Sequence, residues 1–264
     1  MGQLDGKVAV VIGAAGRHNM GQVIARAFAR EGATLVIAGR DAAQLGEFAA
    51  EIGGAAVVCD ITSEGDLKRL SKAAVDGFGG IDIALNATGW GLLKPFLETT
   101  KVDIEAIAAL QFTGAILFYQ AMLRAMRDGG SLIQISSATA SIMLEDHAAY
   151  MGTKAATDHV IRCIANEFGH RGIRANSIAP GFTATPMTER AARNAAITET
   201  FAKEYPLGRV GTSEDIADAA VWLASDHCFM TGQVLQVNGG LTLRRNPRNA
   251  ELAAAVRAAR AAGQ

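Results

Sequence analysis

The chain has three cysteines, Cys59, Cys163 and Cys228, far apart in 264 residues and without the close spacing of a metal site. Each stands among apolar neighbours, where a free thiol acts as a small hydrophobe, so a disulfide framework is set aside and a reduced, cytoplasmic setting is expected. Charge of one sign is equally scarce. Against 26 Asp and Glu there are 25 Lys and Arg, a formal net charge of −1, with no basic run or stripe. Nucleic acid therefore has no electrostatic footprint to answer to, and a small-molecule partner is expected. The start, MGQLDGKVAV, lacks a basic region followed by a long apolar one, and position 6 is Gly where a myristoylation signal needs Ser or Thr. No uninterrupted apolar stretch approaches the ~18 residues that span a bilayer, so no membrane partner is expected. Nor does a Ser/Pro-rich linker or an internal repeat divide the chain. His18, His159, His170 and His227 show no metal-ligand spacing, and no metal is expected.

Half of the residues are apolar, enough for one large core, and a single domain over residues 1–264 is expected. Short β-rich runs recur at KVAVVI (7–12), ATLVIA (33–38), AAVVC (55–59), IDIALN (81–86), SLIQIS (131–136), IRANSIA (173–179) and QVLQV (233–237). Near-continuous apolar strands separated by helical stretches predict a parallel seven-stranded sheet with helices on both faces, an α/β doubly wound domain of Rossmann type. Residues 22–30 carry Val23, Ile24, Ala27 and Phe28 at helical spacing. Residues 183–212, with Pro186, Pro206, Gly208 and Gly211, form a distinct loop region, and the tail 241–264 holds an Ala/Arg-rich amphipathic helix (249–261) read as structural.

Two segments carry the chemistry. GAAGRHNMG (13–21) follows the first strand and opens the first helix, the place of a pyrophosphate-binding turn, although Gly13, Gly16 and Gly21 miss the usual G-x-G-x-x-G spacing. In SSATASIMLEDHAAYMGTK (136–154), Tyr150 and Lys154 are four apart and share a helix face, and Ser137 ends a strand at its carboxyl edge, where open α/β sheets bind ligands.

Together with LDGKVAVVIG (4–13), Asp60, LNATG (85–89), APGFTAT (179–185), YPLGRVGTSEDIADAAVWLASD (205–226) and TGQVLQVNGG (231–240), these motifs make the chain resemble the short-chain dehydrogenase/reductase family over nearly its whole length. The resemblance implies that Tyr150 gives a proton to, or takes one from, the substrate oxygen, that Lys154 tunes Tyr150, and that Ser137 holds the oxygen beside the nicotinamide. Moving a phenol from ~10 to ~7 needs about 4 kcal/mol, which one cation at ~4 Å supplies at an effective dielectric of ~20. Where the family usually has a helix Asn, this chain has Gln111, which puts the family's proton relay in question there. Asn238 stands where an Asp is usual.

For the cofactor, the resemblance implies contacts from Gly13, Gly16, Arg17, Asn19, Met20 and Gly21 in the first turn. Arg40, Asp60, Ile61, Asn86 and Ala87 follow at the strand ends, with Pro180, Gly181, Thr183, Thr185, Tyr150 and Lys154 on the other side. Counting back from Gly21, Asn19 takes the place of the middle glycine, and a left-handed backbone is expected there. Gly39 occupies the position where an acid would bind the ribose of NAD, and Arg40 follows it, so NADP(H) is favoured and NAD(H) is the alternative, with Arg40 solvated and Asp41 only capping a helix. The resemblance places Trp90, Met143, Leu144, His147, Phe182, Met187 and Phe201 around the substrate. That lining suggests a compact, mainly apolar ketone or secondary alcohol. Asp128 argues against a carrier-protein substrate. An enoyl reductase of the divergent type is an alternative, opposed by the four-residue Tyr150–Lys154 spacing; a non-catalytic cofactor sensor is another. Helices 102–126 and 149–168 have more apolar positions than one sheet face needs, and in the family they pair across subunits, so a homotetramer is expected, with a dimer as the alternative.

Overall fold

The computed structural model describes residues 2–262. Met1, and Gly263 and Gln264 of the expected tail 241–264, lie outside the described residues. In chain order the elements are β1 (Val8–Ile12), α1 (Met20–Arg30), β2 (Thr34–Gly39), α2 (Ala42–Ile52), β3 (Ala55–Val58), α3 (Glu64–Phe78) and β4 (Ile81–Asn86). They continue with α4 (Lys101–Ala108), α5 (Gly114–Ala125), β5 (Met126–Ile135), α6 (Ala148–Phe168) and β6 (Arg174–Pro180). Then come α7 (Glu189–Ala192), α8 (Ala195–Ala202), α9 (Ser213–Ala224), β7 (Val234–Val237) and α10 (Asn249–Ala261).

All seven strands pair in parallel, in the order β3-β2-β1-β4-β5-β6-β7. Alternate side chains of each strand feed two separate cores. Ala9, Val11, Leu35, Ile37, Ile83 and Leu85 meet α1, α2 and α9, while Val10, Ile12, Val36, Ala38, Ala84 and Leu132 meet α3, α5 and α6. The strands are apolar on both faces because both faces are covered. Successive crossovers run outward from β1 in opposite directions, so the carboxyl ends of β1 and β4 open a crevice between them, the site-forming position in such sheets.

Two elements differ from the sequence expectation. The stretch 102–126 is not uniformly α-helical: between α4 and α5 the chain widens into a π-helical turn, Ala109–Thr113. A Cβ on Gly114 would lie 3.0 Å from the carbonyl oxygens of both Ala109 and Ile61, so the glycine lets the loop after β3 press against this turn. The fifth strand begins earlier than expected, at Met126, and its register shifts near Ile81 and Ile83 as the chain passes through Gly129, whose φ is 80°. Helix 101–125 is long and apolar enough to cross a membrane by length and composition, yet half of its most apolar stretch is buried inside the fold, as a core helix is.

Gly21 fixes how α1 meets β1. A Cβ there would lie 2.5 Å from the carbonyl oxygen of Gly13, a distance only backbone movement relieves. Gly→Ala inside a helix ordinarily gains up to about 1 kcal/mol. Here Gly21→Ala is expected to lose about 1–3 kcal/mol from overpacking, read as a lower denaturant midpoint at unchanged slope.

Candidate active site

The turn after β1 is built around Asn19. Its backbone is extended, with φ −72°, because it is the N-cap of α1 and not a left-handed glycine substitute as expected. The side-chain oxygen of Asn19 accepts from the Gln22 N–H at 2.9 Å, and its amide donates to the Gly13 carbonyl at 2.8 Å. The left-handed conformations fall instead on Gly13 (φ 93°) and His18 (φ 54°). Gly13 is also the point of closest approach, since a Cβ would come within 2.7 Å of the Ala87 carbonyl carbon. Gln22 stitches the turn by accepting from the His18 N–H at 3.0 Å and donating to the Ala14 carbonyl at 3.2 Å. Among the described residues no protein group accepts from the Met20 or Gly21 N–H, and no acid sits in the first turn of α1. Such a helix start favours an anion.

This turn forms one end of a cleft of about 360 Å³. Gly13, Gly16, Asn19, Met20, Arg40 and Asp60 line it, as do Ile61, Ala87, Pro180, Gly181, Thr183 and Thr185. Three residues of the expected cofactor set stand off the wall. Gly21 is buried in the turn behind it, Arg17 pairs with Glu47 at 2.8 Å, and Asn86 is buried and accepts from the Thr88 N–H and hydroxyl at 2.9 and 2.7 Å. Arg40 is exposed at the rim and has no ion-pair partner among the described residues. The Asp60 carboxyl lies below the usual range, mainly through the Thr62 N–H and hydroxyl it accepts from, and in smaller part through the charge of Arg40. Asp41 caps α2, as the alternative reading had it. A side chain at position 39 is blocked: its Cβ would meet the Ala15 Cβ at 2.5 Å.

Ser137, Tyr150 and Lys154 line the same cleft. Helix α6 starts at Ala148, so Tyr150 lies in its first turn and Lys154 one turn on. The Lys154 ammonium is buried; it donates to the Ile135 carbonyl at 2.8 Å and lies 5.6 Å from the centre of the Tyr150 ring. Burial pulls Lys154 down to about 8, and the carboxylate of Asp158, one further turn along α6, partly opposes this. Asp158 is itself buried and accepts from the Ser136 hydroxyl at 2.8 Å. The Tyr150 phenol is raised above its ordinary value, because desolvation outweighs the help of the Ser137 hydroxyl, and the lowering expected from Lys154 is not seen. The ammonium is engaged by a carbonyl and faces the ring, so the phenol keeps its proton.

Gln111 sits in the π-helical turn. Its side-chain oxygen accepts from the Trp90 N–H at 3.0 Å and its amide donates to the Thr153 hydroxyl at 2.8 Å. The extra methylene relative to Asn thus spans from the loop after β4 to α6. Of the expected substrate residues, Met187 lines the cleft. Trp90, at 42% exposure, follows Gly89 of the cleft wall, and Leu144 is not part of that wall. The His147 ring lies against Tyr150, tilted by 30°, at 4.3 Å between centroids. Its Nδ1 lies 2.7 Å from the Leu92 carbonyl, so it donates there, and burial keeps the ring neutral by lowering its pKa. Phe182 stacks on Phe201 at 4.4 Å, and Phe201 belongs to a small core rather than to the cleft. Sequence reasoning missed Ala15, Leu110 and Asp158. Asp158 was readable, since it stands four residues after Lys154; Leu110 was not, because the π turn that places it has no local signature.

A family model described as enoyl-(acyl carrier protein) reductase matches residues 13–242. Galactitol 2-dehydrogenase (L-tagatose-forming) of Cereibacter sphaeroides is 34% identical over 91% of this chain and 97% of its own. D-threitol dehydrogenase of Mycolicibacterium smegmatis is 33% identical over 92% of this chain and 95% of its own. A crystal structure of a short-chain dehydrogenase/reductase (glucose/ribitol dehydrogenase) from Brucella melitensis superposes with a TM-score of 0.86 at 29% identity, covering 91% and 99% of the two chains. The chain belongs to the short-chain dehydrogenase/reductase family. As a member it is an NAD(P)(H)-dependent oxidoreductase acting on CH–OH or C=O groups. The cleft fits such a cofactor on its own geometry. Backbone N–H groups at a helix start free of acids suit a pyrophosphate, and the glycine at 13 keeps Cβ bulk out of the turn.

The buried ammonium gives this dehydrogenase a stability signature. A lysine whose folded pKa is depressed from 10.5 to about 8 binds fewer protons folded than unfolded between those values, so folding stability rises with pH across that window. Wild type is expected to gain about 1 kcal/mol per pH unit relative to Lys154→Met between pH ~8 and ~10, measured by urea unfolding of both proteins at each pH.

Proposed function

We propose that this single-domain enzyme transfers a hydride between NADP(H) and the carbonyl or secondary alcohol of a compact, mainly apolar substrate. The observation that carries the reading is the convergence of Ser137, Tyr150 and Lys154 on one wall of the cleft that begins at the anion-binding turn. The nicotinamide, when bound, supplies or accepts the hydride. Tyr150, protonated in its buried setting, gives its proton to the carbonyl oxygen in reduction, and in oxidation its phenolate form takes the proton of the alcohol. Ser137 donates to the same oxygen and aligns it, and Lys154 places a cation beneath the Tyr150 ring. Gln111 acts by position, tying the loop that carries Trp90 to the helix that carries Tyr150.

The preference for the 2′-phosphorylated cofactor is supported by Arg40 at the rim and by Ala15, which leaves no room for an acid at position 39. A second reading, a polyol substrate, is favoured by the names of the galactitol and D-threitol dehydrogenases. The enoyl reductase reading is opposed by the Tyr150–Lys154 spacing, whatever the matched family model is called. Three unpaired cysteines suit a reduced cytoplasmic compartment. A groove between α5 and α6, with Ile116, Leu123, Val160 and Ile164, supports a homotetramer through these helices. Light scattering that gave a monomer at micromolar concentration would overturn that assembly.

Turnover of a panel of apolar ketones, secondary alcohols and polyols with both cofactors, followed by nicotinamide absorbance, tests the reaction. Tyr150→Phe is expected to lower kcat about 100-fold or more with cofactor affinity within about twofold, and near-wild-type kcat would refute the assigned proton donor. Loss of a charge-assisted hydrogen bond of roughly 1.5–3 kcal/mol means Arg40→Ile should weaken NADPH about 10- to 100-fold and leave NADH nearly unchanged. Because Ala15 blocks an acid at position 39, reversal of preference is expected from Ala15→Gly, Gly39→Asp and Arg40→Ile combined. Tighter NADH binding by the wild type in a fluorescence titration would defeat the assignment.

A further inference from the structure

The segment that follows the family match has no counterpart in the reaction as described so far. The match ends at residue 242, and the galactitol and D-threitol dehydrogenases are covered almost completely by about nine tenths of this chain. Beyond it, residues 244–261 touch two separate parts of the chain, the end of α8 with the small core beside it and the 143–146 loop. On one side, the Arg244 guanidinium donates to the Lys203 carbonyl at 2.8 Å, Arg245 pairs with Glu204 at 3.1 Å and Glu251 at 2.6 Å, and Leu252 packs on the small core formed by Ala138, Phe201, Tyr205 and Leu241. On the other side, the buried Asn246 amide donates to the Met143 carbonyl at 3.1 Å. The Asn249 N–H donates to the Glu145 carboxylate at 2.8 Å and the Asn249 amide to the Asp146 carboxylate at 2.7 Å.

Asp146 is where these contacts reach the site. It holds a left-handed backbone, φ 59°, which an Asp adopts only at some cost. Two groups pin it: the Asn249 amide donates to its carboxylate, and the Lys94 N–H donates to its carbonyl at 2.7 Å. The next residue is His147, whose ring lies on Tyr150. The chain from Asn249 to Asp146 to His147 therefore ends on the candidate proton donor, while among the described residues no hydrogen bond or ion pair joins this segment to the turn at 13–21.

We propose that residues 244–261 form a clamp that sets the size of the substrate mouth, with Asn246 and Asn249 as positioning residues for the 143–147 loop and Leu252 for α8. The surface ion pairs contribute little each, since exposed pairs are weak. The buried amide of Asn246 and the pinned Asp146 define the geometry. With the clamp in place the mouth admits a compact substrate; without it the loop relaxes and bulkier ones enter. The activity arm of this inference rests on the reading of the reaction given above, and the structural arm does not.

The test compares full-length protein, a chain ending at Leu243, and the Asn246→Ala/Asn249→Ala double variant, which keeps the helix should the truncated chain fail to fold. Hydrogen exchange of residues 141–149 is expected to rise about tenfold or more in both variants and that of residues 195–205 in the truncated chain alone, with no change at residues 13–21 and NADPH affinity within about twofold. On whichever ketone or alcohol the panel identifies, KM is expected to rise about five- to tenfold with kcat within about threefold, and the ratio of kcat/KM for a bulkier to a compact homologue to rise. Unchanged exchange in the double variant overturns the clamp, as does risen exchange with KM and size selectivity intact. If the wild type turns over nothing in the panel, the reaction reading fails on its own, and exchange alone decides for or against the clamp.

Discussion

The Lys154 ammonium is a charge held out of water, and the surrounding architecture is arranged to make that tolerable. It donates to the Ile135 carbonyl at the end of β5, and the Asp158 carboxylate lies one turn further along α6 to balance it. A buried charge without such partners would cost several kcal/mol or lose its proton. Because the carbonyl belongs to a strand end, α6 has to cross the carboxyl edge of the sheet at one fixed height. Asp158 accepts in turn from Ser136, the neighbour of Ser137, so the same network that compensates the lysine also sets the strand end from which Ser137 projects. Tyr150, one turn before Lys154, is then placed by helix geometry alone. The three polar groups of the proposed reaction are consequences of one solvation problem solved at one place.

At the opposite end of the cleft the constraint is steric. Gly13 against the Ala87 backbone, Gly21 against the Gly13 carbonyl and Gly39 against the Ala15 methyl are three close approaches in which a further side chain has no space. They bring β1, β2 and β4 close enough for the turn to face the crevice. The capping asparagine replaces a glycine here by a different physical route. Instead of supplying unusual backbone angles, Asn19 ties the helix start to the strand end with two hydrogen bonds, while His18 takes the left-handed conformation. The longer turn thus leaves a helix start with free N–H groups and no acid in its first turn, an arrangement that motif spacing alone did not predict.

Much of the architecture was legible in local pattern. The seven Val/Ile/Ala-rich runs became the seven strands, because a strand covered on both faces must be apolar at successive positions, a property visible within five or six residues. The Tyr150–Lys154 pair was legible for the same reason: a spacing of four on a helix is a local fact. Partners distant in sequence were not. Arg17 was read as facing the cofactor, and it stands off the cleft wall beside Glu47, thirty residues on; Gln111 was read as a doubtful relay, yet it bridges Trp90 and Thr153; Phe201 was read as pocket lining, yet it stacks into a core.

The sequence by itself determined the parallel sheet, the helix carrying Tyr150 and Lys154, and the position of the turn at the start of α1, since each follows from periodicity and residue type over a few neighbouring positions. Only the tertiary structure decided the directions of the pKa shifts at Tyr150 and Lys154, the width of the π turn at Gln111, and the contact of the C-terminal segment with Asp146. These depend on what excludes water from a group and on hydrogen bonds between residues as much as a hundred positions apart, such as Asn249 and Asp146, and no local pattern encodes which distant surfaces will meet.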